Sequence, residues 1–466
     1  MEINPAIFGM YDIRGIFGQD LTVENVKLLG RALGTFFLQN KINEVVVGHD
    51  NRLSGPAIKK SLFQGLNEAG INIIDLGLIM TPMTYFSWQA LEANATIMIT
   101  ASHNPPEYNG FKVSLNKGPI HGDSYQKIKK ILQSGKFLQG KGGVKKFNLW
   151  PKYLKRIAQD IKLKRKLKVV VDSGNGTTAP FVQEFFAKLG CTMIGLYVDS
   201  DGSFPNHPPY PQKVEFYSKL ISTVKQKKAD LGLAFDGDGD RVGIFNEKGE
   251  FISNDILAIL FIREILKKNP GTKIVMNIST SLAVIDDIKK RGGKLILWKT
   301  GYPFITSKMK EVDAIFGGEI SGHFFFADRY YGFDDAFYAT ARLLEILAST
   351  DKPLSVLFAD TPKFYTTPEF RIKTPDEPNN NKFTIIKEAA LEIKKDYPEA
   401  EILDFDGIRF NFKDGWGLIR ASNTQPMLTG RAEAKTQAKL EKIKKIIKNK
   451  LAKNKIVLDW KHSFAD

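Results

Sequence analysis

At 466 residues the chain is too long for one ordinary core, and 43% hydrophobic with 25% charged residues describes a folded chain rather than a disordered one. A single cysteine, Cys191, excludes an intramolecular disulfide and any multi-cysteine zinc site. The formal charge of +16 admits anionic partners, but no zinc-finger or RNA-binding signature accompanies it, so no nucleic acid is expected.

The first 15 residues carry no basic stretch followed by an apolar one, and no apolar run reaches spanning length. Neither a signal peptide nor a membrane span is expected, and a cytoplasmic location follows. Further along, β-branched apolar runs predict strands over 44–48, 95–100, 168–172, 230–235, 273–278 and 294–298. Helical spacing predicts helices over 56–69, 180–189 and 282–291. Such alternation implies βαβ units with sheets covered on both faces. Polar or glycine-rich loops follow strands at 100–105, 172–177, 236–241 and 317–323, where open α/β sheets gather ligands. Restarts of the pattern place boundaries near 145, 250 and 365. After a strand-like 364–372, the proline- and asparagine-rich 374–382 opens a different region. There a helix, a strand pair around 407–419, a loop at 420–426 and a lysine-rich helix over 435–455 predict a smaller α+β domain. Leu440, Ile443, Ile447 and Leu451 recur at helical spacing in that last helix, so its lysines read as a solvated face.

The sharpest local signal is Asp236-Gly-Asp-Gly-Asp-Arg241. Carboxylates at alternate positions project to one side of an extended chain, and three like charges together need a hard cation to neutralise them. A solvated hairpin turn is the competing account of the Asp-Gly pairs. Asp236, Asp238, Asp240 and Glu247 also fit the acidic places of a calcium loop, yet Arg241 stands where that loop requires glycine and strand-like runs replace its helices. Thr100-Ala-Ser-His-Asn-Pro105 offers a hydroxyl for nucleophilic or phosphoryl-carrying work, or else a plain turn. It lacks a serine-hydrolase elbow, and opposite-facing neighbours on an extended backbone make His103 a poor base for Ser102. Asp172-Ser-Gly-Asn-Gly-Thr177 suits an anion at a helix N-terminus, but a tight turn explains it as well, and it is given no ligand. Gly317-Gly-Glu-Ile-Ser-Gly-His323 sets Glu319, Ser321 and His323 at alternate positions, a spacing that can grip vicinal sugar hydroxyls. Arg420-Ala-Ser-Asn-Thr424 joins a guanidinium to hydroxyl and amide donors suited to a phosphate dianion.

Taken together and in this order, with Tyr11-Asp-Ile-Arg-Gly15 at the start, these loops resemble the α-D-phosphohexomutase superfamily, and within it the phosphomannomutase/phosphoglucomutase group. The resemblance implies three tandem α/β, mixed-sheet domains and a smaller C-terminal α+β domain around a central cleft. On the boundaries above these are 1–145 with a phosphoserine loop, 146–250 with a metal loop, 251–365 with a sugar-recognition loop and 366–466 with a phosphate-binding loop. It implies a phosphoserine at Ser102 and Mg²⁺ held by Asp236, Asp238 and Asp240 with an oxygen from Ser102. Arg241 would lie by that phosphate, with Arg14 and Lys112 as candidates for proton transfer or charge stabilisation. Tyr11, Lys299, Tyr302, Glu319, Ser321 and His323 would face the sugar phosphate, and Arg420, Ser422, Asn423 and Thr424 would hold the phosphate that is not reacting.

The activity implied is interconversion of hexose 1-phosphate and hexose 6-phosphate, of mannose or glucose, with hexose 1,6-bisphosphate as intermediate and activator. A phosphoglucosamine mutase, a sugar-phosphate phosphatase and a non-catalytic sugar-phosphate binder are the alternatives. Small hexose phosphates are the expected partners, with no membrane, and the chain is expected as a monomer or weak dimer. Two residues depart from the pattern it resembles: Tyr302 stands where many relatives have histidine, and Tyr210 where asparagine is usual.

Overall fold

The computed structural model describes residues 4–374, 381–422 and 427–460. Its first sheet contains β1 (Ile13–Ile16), β2 (Glu44–His49), β3 (Asn72–Leu78), β4 (Ala95–Ile99), β5 (Tyr108–Leu115), β6 (Gly118–Pro119) and β7 (Val144–Lys146), in the order β1-β5-β4-β2-β3-β7 with β6 beside β5. The second contains β8 (Lys168–Asp172), β9 (Thr192–Leu196), β10 (Leu231–Phe235), β11 (Val242–Asn246) and β12 (Phe251–Ile252), in the order β12-β11-β10-β8-β9. The third orders β13 (Lys273–Asn277), β14 (Lys294–Trp298), β15 (Phe316–Gly318) and β16 (Phe324–Phe326) as β14-β13-β15-β16.

These three sheets share one device. Parallel strands form the centre, and the last of them turns back into an antiparallel neighbour: β4 into β5, β10 into β11 and β15 into β16. Every residue of β4 and β10 is buried, so these strands read as continuous apolar runs without alternation. The polar loops at 100–105, 236–241 and 319–323 therefore occupy the same place in three sheets.

The fourth sheet is antiparallel throughout: β17 (Tyr365–Thr366), β18 (Phe370–Lys373), β19 (Glu401–Leu403), β20 (Ile408–Phe412), β21 (Gly415–Ala421) and β22 (Met427–Ala434). The single strand expected over 364–372 is split in two, and Pro368 in the gap has no N–H for a ladder. Arg420, expected in a loop, lies on β21 opposite Thr429.

One apolar cluster runs through all of the first three sheets, joining Met98, Phe185 and Phe316. The fourth sheet has its own core, where Phe410 and Leu428 meet Ile443 and Ile447 of the helix Gln437–Ala452. The lysine-rich helix thus docks on its apolar face as its spacing predicts. A small cluster of Ile278, Trp416 and Leu418 seats the fourth sheet on the third. Among the described residues no helix is long and apolar enough to cross a membrane.

Candidate active site

Ser102 sits just past the end of β4, fully buried, with φ of +52°. This left-handed conformation changes the side-chain directions assumed for an extended chain. His103 turns back, and its Nδ1 lies 3.3 Å from Ser102 Oγ. Burial and the cations of Arg241, Arg14 and Arg371 hold the imidazole neutral, well below its ordinary range. The turn is fixed by Arg52, whose Nη2 donates to the carbonyls of Ser102 (2.9 Å) and Asn104 (2.6 Å) while Nη1 donates to those of Pro105 and Tyr108. Asp50 holds Nε of the same guanidinium at 3.2 Å. Arg14 adds a bond from Nη1 to Asn104 Oδ1 at 2.8 Å and is itself held by Asp12 at 2.6 Å.

The acidic loop closes the hairpin from β10 to β11. It is a curl rather than an extended stretch, because Asp236 Oδ1 accepts the N–H groups of Gly239, Asp240 and Arg241 at 3.0–3.2 Å. Gly239, with φ of +75°, permits that curl. Gly237 permits close approach: a Cβ there would stand 2.3 Å from the Ser102 carbonyl oxygen. The two loops consequently touch. Ser102 Oγ donates to Asp236 Oδ2 at 2.9 Å, and Arg241 Nη2 donates to Ser102 Oγ at 3.1 Å. Glu247, the last acidic place of a calcium loop, instead accepts from Ser355, so no calcium hand forms.

All three aspartates are buried, and Lys112 on β5 bridges Oδ2 of Asp238 (2.7 Å) and of Asp240 (2.5 Å). Burial opposes charge on Lys112, but these two carboxylates outweigh it and raise its pKa. Burial and the neighbouring Asp240 and Asp238 push Asp236 well up, whereas Lys112, His323 and Arg241 hold Asp240 down against burial. Oδ1 of Asp238 and Oδ1 of Asp240 are buried without a hydrogen-bond partner. Oxygens of all three aspartates fall within 4.8 Å of one another. Hard oxygen donors that converge here, two of them without a hydrogen-bond partner, fit a divalent cation such as Mg²⁺.

The loop after β15 faces the same cluster. Glu319 is buried, with its pKa raised by burial, and its Oε1 accepts the Gly301 N–H at 2.6 Å. Ser321 Oγ lies 3.4 Å from Glu319 Oε2. His323 Nδ1 stands 3.9 Å from Asp240 Oδ1 and 2.7 Å from Asp334 Oδ2, the latter without hydrogen-bond alignment. Tyr302 is buried against Tyr11 and Tyr85, and Lys112 Nζ lies 5.4 Å from its ring centroid. Burial, then Asp12 and Glu319, lift the Tyr11 phenol to about 12. Lys299 is partly exposed at the start of the loop that follows β14. Arg420 donates from Nε to Asp406 at 3.3 Å, and Asp406 also accepts the Thr300 N–H at 2.8 Å, which ties the fourth sheet to the Lys299–Tyr302 loop. Ser422 is buried beside Lys382, which donates to its carbonyl at 2.6 Å. Asn423 and Thr424 lie outside the described residues.

Sequence reasoning passed over Arg52, Asp50, Asp334 and Asp406. An Asp-x-Arg immediately after a buried strand was the available signal for the first two. The loop at 172–177, given no ligand, buttresses the acidic loop: the Thr177 N–H donates to the Gly237 carbonyl at 3.0 Å.

Four consecutive segments match domains described as phosphoglucomutase/phosphomannomutase: alpha/beta/alpha domain I over 5–139, domain II over 151–249, domain III over 253–365 and the C-terminal domain over 370–450. A phosphomannomutase/phosphoglucomutase of Pseudomonas aeruginosa is 42% identical over 446 residues, covering 96% of this chain and 95% of that protein. A phosphoglucomutase of Neisseria meningitidis is 40% identical over 456 residues, covering 97% and 98%. The crystal structure of a phosphoglucomutase/phosphomannomutase family protein from Burkholderia thailandensis superposes with a TM-score of 0.91 at 38% identity, covering 97% of this chain and 98% of that one. With the serine turn, the acidic loop and the 319–323 loop converging as described, and with relatives matched end to end, the chain belongs to the phosphoglucomutase/phosphomannomutase family.

Proposed function

We propose that this chain interconverts hexose 1-phosphate and hexose 6-phosphate, of glucose or mannose, through phosphorylated Ser102 and a hexose 1,6-bisphosphate. The contact between Ser102 Oγ and Asp236 Oδ2, 2.9 Å across two domains, carries this reading. It joins a hydroxyl that suits reversible phosphoryl carriage to a cation-ready cluster. Mg²⁺ held by Asp236, Asp238 and Asp240 would offset charge on the transferring phosphoryl oxygens.

The chain's own groups do the rest. Arg241, already 3.1 Å from Ser102 Oγ, supplies positive charge beside a phosphate on that serine. Lys112 stays protonated between its two carboxylates and stabilises charge in the cleft. Arg52 and Arg14 orient the serine turn. Glu319 and Ser321 present a carboxylate and a hydroxyl to sugar hydroxyls, with Tyr11, Lys299, Tyr302 and His323 around them. Arg420 on the fourth sheet and Ser422 just past the end of β21 take the phosphate that is not reacting. In the forward step the bond from Ser102 Oγ to phosphorus breaks as the sugar's free hydroxyl bonds to phosphorus, and the proton that hydroxyl gives up is matched by the one Ser102 Oγ takes on as it returns to a free hydroxyl. The bisphosphate then turns end for end and returns its other phosphoryl to Ser102, so phosphate is conserved. The division near 145, 250 and 365, a cytoplasmic location and a monomer or weak dimer belong to the same reading.

Purified protein with Mg²⁺ and a trace of hexose bisphosphate should convert glucose 1-phosphate, mannose 1-phosphate or both to the 6-phosphate. Release of inorganic phosphate without isomerisation would make it a phosphatase instead. Ser102→Ala should lower turnover on the order of 10⁴-fold or more with the fold retained; near-normal rates would remove the proposed carrier.

A further inference from the structure

The segment after β9 runs over the cleft and touches elements of every domain. Gln212 Nε2 donates to the Ser321 carbonyl in the sugar-facing loop. Two residues earlier, the Tyr210 ring stacks on His103, with centroids 4.5 Å apart and planes inclined by 30°. The Tyr210 hydroxyl accepts from Arg371 Nη2 at 2.6 Å, and the Arg371 guanidinium lies 5.7 Å from the Tyr210 ring centroid.

Arg371 belongs to β18, in the fourth sheet. Its register partner on β22 is Thr429, which on its other side faces Arg420 of β21. Residues opposite one another share a face of the sheet, so Arg371, Thr429 and Arg420 form one row across three strands. Arg420 Nη1 donates to Thr429 Oγ1 at 3.3 Å, in keeping with that row. A continuous chain of contacts therefore leads from the fourth sheet's cationic row, through Arg371 and the Tyr210 hydroxyl, to the His103 ring and Ser102 Oγ.

We propose that Tyr210 is a positioning residue that ties the seat of the fourth domain to the turn carrying Ser102, so that both are set together. The proposal rests on the mutase reading for its consequence. While a bisphosphate reorients, Ser102 is bare; if the bisphosphate escapes, the serine stays bare and turnover stops until another bisphosphate binds. Closing the fourth domain onto the serine turn lengthens retention, which is the task such closures perform. A phenol at this position serves because it offers a ring face to His103 and a hydroxyl to Arg371 at once.

Tyr210→Phe keeps the ring and removes the acceptor, and Arg371→Met removes the donor from the fourth domain alone. Hydrogen–deuterium exchange on the full chain reads the tie without turnover. In both variants exchange at the Ser102 and Asn104 amides should rise several-fold, and unchanged exchange in both would overturn the proposal. With glucose 1-phosphate as substrate, the glucose 1,6-bisphosphate concentration giving half-maximal rate should rise about tenfold in each variant and no further in the double variant. An unchanged requirement, or a fully additive rise, would reduce Tyr210 to local packing. A wild-type protein that interconverts no hexose phosphate would defeat the mutase reading, while the exchange result would still judge the tie.

Discussion

At the seat of the fourth sheet on the third, Arg431 Nη1 donates to Asp255 Oδ2 at 3.0 Å and to the Ser279 carbonyl at 3.2 Å. Glu433 Oε1 accepts from the Leu282 N–H and from Trp416 Nε1. The Arg409 guanidinium carbon sits over the Trp416 ring, 3.8 Å from its centroid, and Nη1 donates to the Thr280 carbonyl. Neither Asp255 nor Glu433 is left with a buried oxygen lacking a partner. The cleft buries charge just as deeply, yet Oδ1 of Asp238 and of Asp240 have no hydrogen-bond partner, and Asp240 Oδ1 meets only the longer ion-pair contacts of Arg241 Nε at 3.6 Å and His323 Nδ1 at 3.9 Å. Burial without pairing is unfavourable, so the contrast separates two uses of buried charge. At the interface both carboxylates are met within the protein, although Nη2 of Arg409 is buried without a hydrogen-bond partner. In the cleft the protein supplies an excess of carboxylate that only an added cation completes.

Removing the cation partner at each place exposes that difference most strongly. Arg431→Met and Lys112→Met should each cost about 3–5 kcal/mol in urea unfolding without divalent metal, because each leaves buried carboxylate uncompensated. Saturating Mg²⁺ should restore much of the loss in Lys112→Met and none in Arg431→Met. Equal responses of the two variants to the metal would break the comparison. The wild-type protein should itself gain about 2.7 kcal/mol at a Mg²⁺ concentration one hundred times its dissociation constant. Asp240→Asn should lose most of that gain while retaining its fold, which calorimetry with and without a chelator would reveal. A metal response that survives Asp240→Asn would move the cation elsewhere.

What could be read in advance follows the same division. The loops at 100–105, 236–241 and 317–323 stood out because each pairs an apolar strand with polar or glycine-rich residues, and the shared strand-to-hairpin position brings them together. The three carboxylates were recognisable from their spacing, although they meet by curling round Asp236 Oδ1 and not along an extended strand. The turn at Ser102 was misjudged because a positive φ at serine leaves no mark on the sequence, unlike one at glycine. Arg52 was passed over because its partners are main-chain carbonyls some fifty residues onward, and every residue has a carbonyl. Tyr210 was visible only as a departure from a resembled pattern. Its value depends on Arg371, which reaches it from another sheet.

A third buried pair, inside the second domain, offers the smallest effect and the sharpest control. His207 Nε2 lies 3.2 Å from Asp172 Oδ1, and Nδ1 lies 2.9 Å from the Pro208 carbonyl. Both partners are acceptors, so the arrangement is complete only when both ring nitrogens carry protons. Burial would lower the imidazole pKa, but Asp172 and the Pro208 carbonyl outweigh it and raise it above the ordinary 6.5. A group raised in the folded state lends its full stabilisation below the unfolded value and loses it as pH climbs through the folded one. Asn at this position can donate to Asp172 without titrating. The stability advantage of wild type over His207→Asn should therefore be greatest below about pH 6.5 and narrow toward pH 8.5, with a slope bounded by about 1.4 kcal/mol per pH unit. Urea unfolding of both proteins across that range checks it, and a gap that stays constant would mean the imidazole packs without titrating. Because this pair is complete without metal, its pH response should be indifferent to Mg²⁺, which separates proton linkage in the second domain from the cation requirement of the cleft.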